Sequence, residues 1–178
     1  MTMISEGVVM DRTTEALLNK SDSGVGLTAI PANARSIEKD VDFEPVAEGF
    51  KLQYEHQNGR LYQGNSFEWL ESLDDASVDL VFADPPYNIK KADWDNFESQ
   101  EKYIEWSINW IKQASRVLKP TGSLYVCGFS EILADLKHPA SKYFKHCRWL
   151  IWHYKNKANL GSEWGRSHES IIHFRKSD

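Results

Sequence analysis

Ser77-Val78-Asp79-Leu80-Val81-Phe82-Ala83-Asp84-Pro85-Pro86-Tyr87-Asn88 is the stretch of this 178-residue chain on which its fold turns. After Asp79 the run to Ala83 is continuously apolar, as expected of a strand covered on both faces, so residues 78–83 are read as a central strand of an α/β sheet. Asp84 then falls at the carboxyl end of that strand, the edge at which open α/β sheets bind their ligands. The two prolines fix φ, remove two backbone donors and hold the chain extended. The Asp84 carboxylate and the Pro85 carbonyl can therefore point into one small space with no competing N–H.

Two converging acceptors suit the exocyclic –NH2 of a purine or pyrimidine, which has two hydrogens to place. A nitrogen held in this way is less conjugated with its ring, and its lone pair can face an electrophilic methyl; Asp84 can also take the proton released. Tyr87 offers a flat ring on which a base lifted out of a duplex can stack, offsetting roughly a few kcal/mol of unstacking. Asn88 is suited either to supporting the loop or to binding a base edge. A bare Asp-Pro-Pro-Tyr can also be a plain turn after a strand, so its surroundings matter.

Those surroundings alternate strands and amphipathic helices, which predicts a mostly parallel sheet with flanking helices. Residues 61–65 read as a short strand ending in a turn at Gly64-Asn65, and 67–73 as a short helix. Residues 102–118 carry Ile104, Ile108, Ile111 and Leu118 at helical spacing, and Lys119-Pro120-Thr121-Gly122 stops that crossover helix. Residues 123–127, 148–154 and 170–174 read as further core strands, with a short helix over 131–137. Trp106, Trp110 and Trp149 are assigned to the core. Residues 155–168 are polar, basic and glycine-containing, the character of a functional loop. Residues 1–48 show no sustained period and read as a flexible tail, leaving 49–178 as the catalytic region.

With 41% hydrophobic and 26% charged residues the composition is that of an ordinary globular domain, and no apolar run approaches the roughly 20 residues of a membrane span. Residues 1–10 lack a secretory signal, and two cysteines, Cys127 and Cys147, are no disulfide framework. The expectation is a cytoplasmic protein with both thiols reduced. No His or Cys pair has the close spacing of common zinc sites, so no metal is expected. The net charge of −5 is unevenly spread: residues 38–101 hold five basic against sixteen acidic groups, and residues 137–176 nine basic against two acidic. A basic face toward phosphates is compatible with that asymmetry. Within it Lys155, Lys157, Asn159 and Arg166 are read as contacts to a nucleic-acid backbone.

Residues 61–176 resemble the DNA adenine-N6 and cytosine-N4 amino-methyltransferases, in the permuted class whose catalytic half comes first. Asp84-Pro85-Pro86-Tyr87 is similar to the catalytic motif. Residues 116–124 resemble the helix-to-strand passage after it, Trp152 with Lys155 the next motif, and residues 168–174 the last motif of that half. The resemblance implies a partial Rossmann-like methyltransferase fold, S-adenosylmethionine as cofactor and double-stranded DNA as partner. It makes Asp84, Pro85, Pro86 and Tyr87 catalytic and places the cofactor against Gly64, Asn65 and Asp84, with Asn65 where the family usually has Asp. Trp94 and Asp95 resemble positions around the base pocket. An Asp at the head of the motif tilts toward adenine N6, because relatives acting on cytosine N4 more often begin with Ser. A Phe-x-Gly-x-Gly loop, which in the family wraps the methionine part of the cofactor, does not occur in the 178 residues. The expectation is thus a catalytic portion that a C-terminal fragment or second subunit completes, with cytosine-N4 methylation or a non-catalytic DNA-binding homologue as alternatives.

Overall fold

The computed structural model describes residues 2–5, 8–11, 49–56, 59–155 and 167–177. They form one eight-stranded sheet. Its strands are β1 (Thr2–Ser5), β2 (Val8–Asp11), β3 (Lys51–His56), β4 (Gly59–Gln63), β5 (Val78–Asp84), β6 (Leu118–Gly128), β7 (His146–His153) and β8 (His168–Arg175), in the spatial order β3-β4-β2-β1-β5-β6-β8-β7. The helices are α1 (Ser66–Ser72), α2 (Gln100–Val117) and α3 (Ser130–Ala140).

The sheet is mixed, which corrects the expectation of mostly parallel strands. Only β1 with β5 and β5 with β6 run parallel; the other five pairings are antiparallel. The order of directions positions the site. Because β4 opposes β2, β2 opposes β1, and β1 runs with β5, the end of β4 at Gln63 lies on the same edge as Asp84. On the other side β8 opposes β6, so His168 and Glu169 begin at that edge, and β7, which opposes β8, ends there. Two strands within the stretch read as a tail, β1 and β2, belong to the sheet, with Ser5 in register with Asp84. The rest of that stretch, residues 12–48, lies outside the described residues.

Helix α2 forms because residues 103, 107, 110, 111, 114 and 117 repeat at helical spacing and are all buried, and because the Ser99 hydroxyl caps its start by accepting from the Lys102 N–H at 3.3 Å. The helix runs straight into β6 at Leu118, so Pro120 and Gly122 lie within a strand and not after a stop. They are accommodated by an irregularity: Val78 pairs with Leu118, but Leu80 already pairs with Ser123. A proline is tolerated in such a bulge because no ladder bond is asked of it. A Cβ at Gly122 would sit 3.0 Å from the Lys119 carbonyl oxygen and 3.2 Å from that of Asp79, so the doubled-over chain leaves room for hydrogen alone.

The helices cover one face of the central strands. Val81 and Ala83 of β5, Leu124 and Val126 of β6, and Ile172 and Phe174 of β8 pack with Leu70, Ile111, Ala114, Leu133 and Leu136 in a continuous core. On the opposite face Phe82, Tyr125 and His173 stand in register across three strands, the last two rings stacked 4.2 Å apart and 2° from parallel. Of the three tryptophans assigned to the core, Trp110 is buried in the core cluster and Trp106 packs half-buried against that cluster, whereas Trp149 is 37% exposed. The reason is position. β7 is the rim strand, not a core strand, and its six residues from Arg148 to His153 are all exposed.

Candidate active site

Directly after β5 the chain turns through a loop organised by one side chain, Asp95, at the end of the 3-10 turn Asp93–Asp95. Asp95 is 1% exposed, and its carboxylate accepts the backbone N–H groups of Tyr87 (2.8 Å), Asn88 (2.7 Å), Ile89 (3.1 Å) and Lys91 (3.2 Å). A buried carboxylate is expensive unless its lone pairs are filled, and here four donors fill them. Asn88 and Lys90 take positive φ values, 57° and 59°, as the loop folds around this carboxylate. The Asn88 side chain is spent within the loop: its amide donates to Gln100 Oε1 at 3.2 Å and its oxygen accepts from the Phe97 N–H at 3.2 Å.

The loop and the strand ends enclose a cleft of about 380 Å³. It is lined by Asp84, Pro85, Pro86 and Tyr87, by Ile89, Lys91, Trp94 and Asp95 of the loop, and by Phe129 and Glu169 from the ends of the neighbouring strands. Tyr103 of α2 donates its hydroxyl to the Pro86 carbonyl at 2.9 Å, which ties the second proline of the motif back to the core. Tyr87 donates its hydroxyl to Asp84 Oδ1 at 2.7 Å, and its ring stands edge-on to Phe129 with centroids 5.0 Å apart. Burial, then the Asp84 carboxylate, pushes the Tyr87 hydroxyl well above the usual phenol range, so it remains a donor. One Asp84 oxygen is therefore already engaged, and the other is the motif's remaining carboxylate acceptor. Cys127, beneath the cleft, is pushed up to about 12 by burial and by the Asp84 and Glu169 carboxylates, which leaves it an inert thiol.

The structure brings together Asp84, Pro85, Pro86, Tyr87 and Trp94 from among the residues singled out in the sequence. Gly64 and Asn65 share their edge but lie three strands away, about 14 Å at ordinary strand spacing. Both have local tasks. A Cβ on Gly64 would fall 2.3 Å from Phe50 Cδ1, so the Phe50 ring fills that space, and Asn65 caps α1 by accepting from the Phe67 N–H at 3.0 Å. Lys155 is exposed, just past the end of β7, and the Tyr154 N–H donates to the Ser167 carbonyl at 2.9 Å where the two sides of the following loop meet. Lys157, Asn159 and Arg166 lie outside the described residues. Sequence reasoning passed over Phe129 and Glu169 as members of the cleft. The available signal was a charged residue at the head of a strand adjacent to β6, legible only once the sheet order is known.

The fold that carries this cleft has known counterparts. A DNA modification methylase of Thermus thermophilus, one of whose structures holds S-adenosyl-L-methionine, superposes with a TM-score of 0.52 at 26% identity, over 65% of this chain and 51% of its own. The cytosine-N4-specific PvuII DNA methyltransferase does so at 0.51 and 22% identity, over 64% and 47%. In sequence, the type II methyltransferase M1.MboII of Moraxella bovis is 32% identical over 122 residues, which are 66% of this chain and 46% of that protein. The fold is thus that of the methyltransferases. Residues 78–178, more than half of the chain, match the N6/N4 DNA methylase family, and the chain belongs to it. It spans about half the length of these relatives. No helix among the described residues is long and apolar enough to cross a membrane.

Proposed function

We propose that this chain is the catalytic region of an enzyme that methylates the exocyclic N6 amine of adenine in DNA, with S-adenosylmethionine as the methyl donor. The observation that carries this reading is the cleft at the end of β5, lined by Asp84, Pro85 and Tyr87, in which the Tyr87 hydroxyl engages only one of the two Asp84 carboxylate oxygens. Pro85 and Asp84 accept the two amine hydrogens, which draws the nitrogen out of conjugation and frees its lone pair. Tyr87, braced by Phe129 and by its bond to Asp84, offers the base a fixed ring face. Trp94, half-exposed on the rim of the cleft, is the second aromatic within reach of a flipped base.

When bound, S-adenosylmethionine supplies an electrophilic methyl carried on a positive sulfur. The acidic lining of the cleft, Asp84 with Glu169 against Lys91 as the cation among its lining residues, suits a cationic donor. Asp84 and, farther along the same edge, the Gly64-Asn65 turn are the residues that would hold it. Lys155, together with Lys157, Asn159 and Arg166, is assigned to the DNA backbone, since the ends of their loop emerge at the edge that bears the cleft. Adenine is preferred because the motif begins with Asp84. The same two acceptors serve the N4 amine of cytosine, so the test must read both bases.

DNA from cells expressing the chain together with a C-terminal fragment that carries the Phe-x-Gly-x-Gly loop, and from cells expressing Asp84→Ala with the same fragment, is digested to nucleosides and analysed by mass spectrometry. N6-methyladenine is expected with the unsubstituted chain and a rate about 10²–10³ lower with the variant, the usual cost of one lost transition-state contact. N4-methylcytosine in its place would transfer the reading to cytosine. Undiminished methylation by Asp84→Ala would remove the mechanism, and absence of both marks would favour a non-catalytic DNA-binding homologue.

A further inference from the structure

Four buried side-chain polar atoms among the described residues have no hydrogen-bond partner: the indole nitrogens of Trp69 and Trp110, the Ser107 hydroxyl and Oε2 of Glu169. Glu169 alone among them carries a charge, and it alone lines the cleft. Its other oxygen is held weakly, by the Tyr154 hydroxyl at 3.4 Å. Glu169 as a whole is half-buried, but its Oε2 is sealed from water, and a carboxylate oxygen left unpartnered there is costly without compensation from the fold. The torsion that swings a glutamate carboxylate is soft and roughly two-fold, so little stands against turning an oxygen toward a donor in the cleft.

The position of Glu169 is set by topology. Its strand opposes β6, which places it at the same sheet edge as Asp84 with one strand between them, about 10 Å from backbone to backbone. Both side chains line the one cleft of about 380 Å³ at that edge. The negative charge of Glu169 is felt at Tyr87 and at Cys127, both next to Asp84.

We propose that Glu169 is a further acceptor for the exocyclic amine of the target base, sharing with Asp84 the amine hydrogen on the carboxylate side of the cleft. This rests on the amino-methyltransferase reading above. Asp84 Oδ1 is occupied by the Tyr87 hydroxyl, so the motif itself offers the amine one carboxylate oxygen and one carbonyl. Three-centre hydrogen bonds are common, and a second carboxylate beside the nitrogen favours the positive charge that develops there on methylation. The ring nitrogens of adenine are acceptors and gain nothing from Glu169; the amine is the donor of the base. Glu169 therefore selects a base that presents –NH2 at this point.

The test uses the full chain with Glu169→Met, which keeps length without polarity, and Glu169→Gln, which keeps shape without charge. Binding without cofactor is measured by fluorescence anisotropy on short duplexes centred on the methylated site mapped in cellular DNA, with either adenine or purine, which lacks the amine, at the target position. The unsubstituted chain should prefer adenine over purine, and Glu169→Met should lose roughly 10- to 100-fold of that preference, the range of a charged hydrogen bond. Glu169→Gln, which retains an acceptor oxygen, should fall between. The melting temperature should stay level or rise in Glu169→Met, since a sealed, unpartnered oxygen is removed; a purely structural role predicts a fall. An unchanged adenine preference, a lowered melting temperature in both variants, or a loss confined to cofactor affinity would each overturn the proposal. Methylation that persists while the adenine preference ignores Glu169 sinks this inference alone. No methylated site at all sinks the underlying reading with it.

Discussion

Asp95 does more for the loop after β5 than any residue of the motif it supports. Its carboxylate ties four nearby N–H groups into one cradle, and Tyr87, the first of them, carries the ring that lines the cleft. Asp95→Ala leaves those donors buried without acceptors, and the unfolding free energy should fall by about 2–4 kcal/mol in a denaturant titration. Asp95→Asn keeps one acceptor oxygen and should lose less. Because the loop holds Tyr87 in place, both variants should also lower the rate of methylation, whereas Asp84→Ala should lower the rate with the denaturation midpoint unchanged. The motif was legible in sequence because two prolines after an apolar run restrict the backbone in a way few contexts share. The cradle was not, since nothing in the spacing of Asp95 distinguishes a loop-organising acid from a base-pocket acid.

At the scale of elements, periodicity located α2 and β5, and misplaced what joins α2 to β6. Lys119-Pro120-Thr121-Gly122 looks like a stop, yet the chain passes from helix to strand without a turn and stores the extra residues in a bulge against β5. A proline reports a missing N–H; whether a turn or a bulge follows depends on the neighbouring strand. The same helix end carries Arg116, whose guanidinium donates to the Leu70 carbonyl at 2.7 Å and the Leu73 carbonyl at 2.9 Å and pairs with Asp75. These carbonyls lie at the C-terminal end of α1, where the Leu70 oxygen also accepts the capping Leu73 N–H at 3.3 Å, so a cation from α2 completes that end. A lysine cannot reproduce that planar fork. Arg116→Lys should cost about 1–2 kcal/mol. Hydrogen exchange should quicken in α1 while β5 and β6 stay protected.

Over the whole molecule, the α/β class was readable from the alternation of strands and helices, and strand direction was not. Antiparallel β8, with Ile171, Ile172 and Phe174, reads as a core strand just as parallel β5 does, and only pairing decides the direction. The place of Glu169 in the cleft was hidden for the same reason, since it follows from β8 running backward. The strands β1 and β2 were missed because four residues are too few to display a period. The reading of β7 as core failed because Arg148-Trp149-Leu150-Ile151-Trp152 is as apolar as a central strand, while the sheet order leaves it at the rim, with Ile151 56% and Trp152 58% exposed. That rim is expected to set how concentrated the chain can become before its molecules cohere. A ribbon of indole and branched aliphatic groups on the last strand of the sheet among the described residues is a template for stacking chain on chain. Static light scattering should therefore climb steeply with concentration, and Ile151→Lys, which places a hydrated charge mid-ribbon, should flatten the curve without moving the melting temperature. A curve unaltered by the lysine would show that this strand does not limit dispersal.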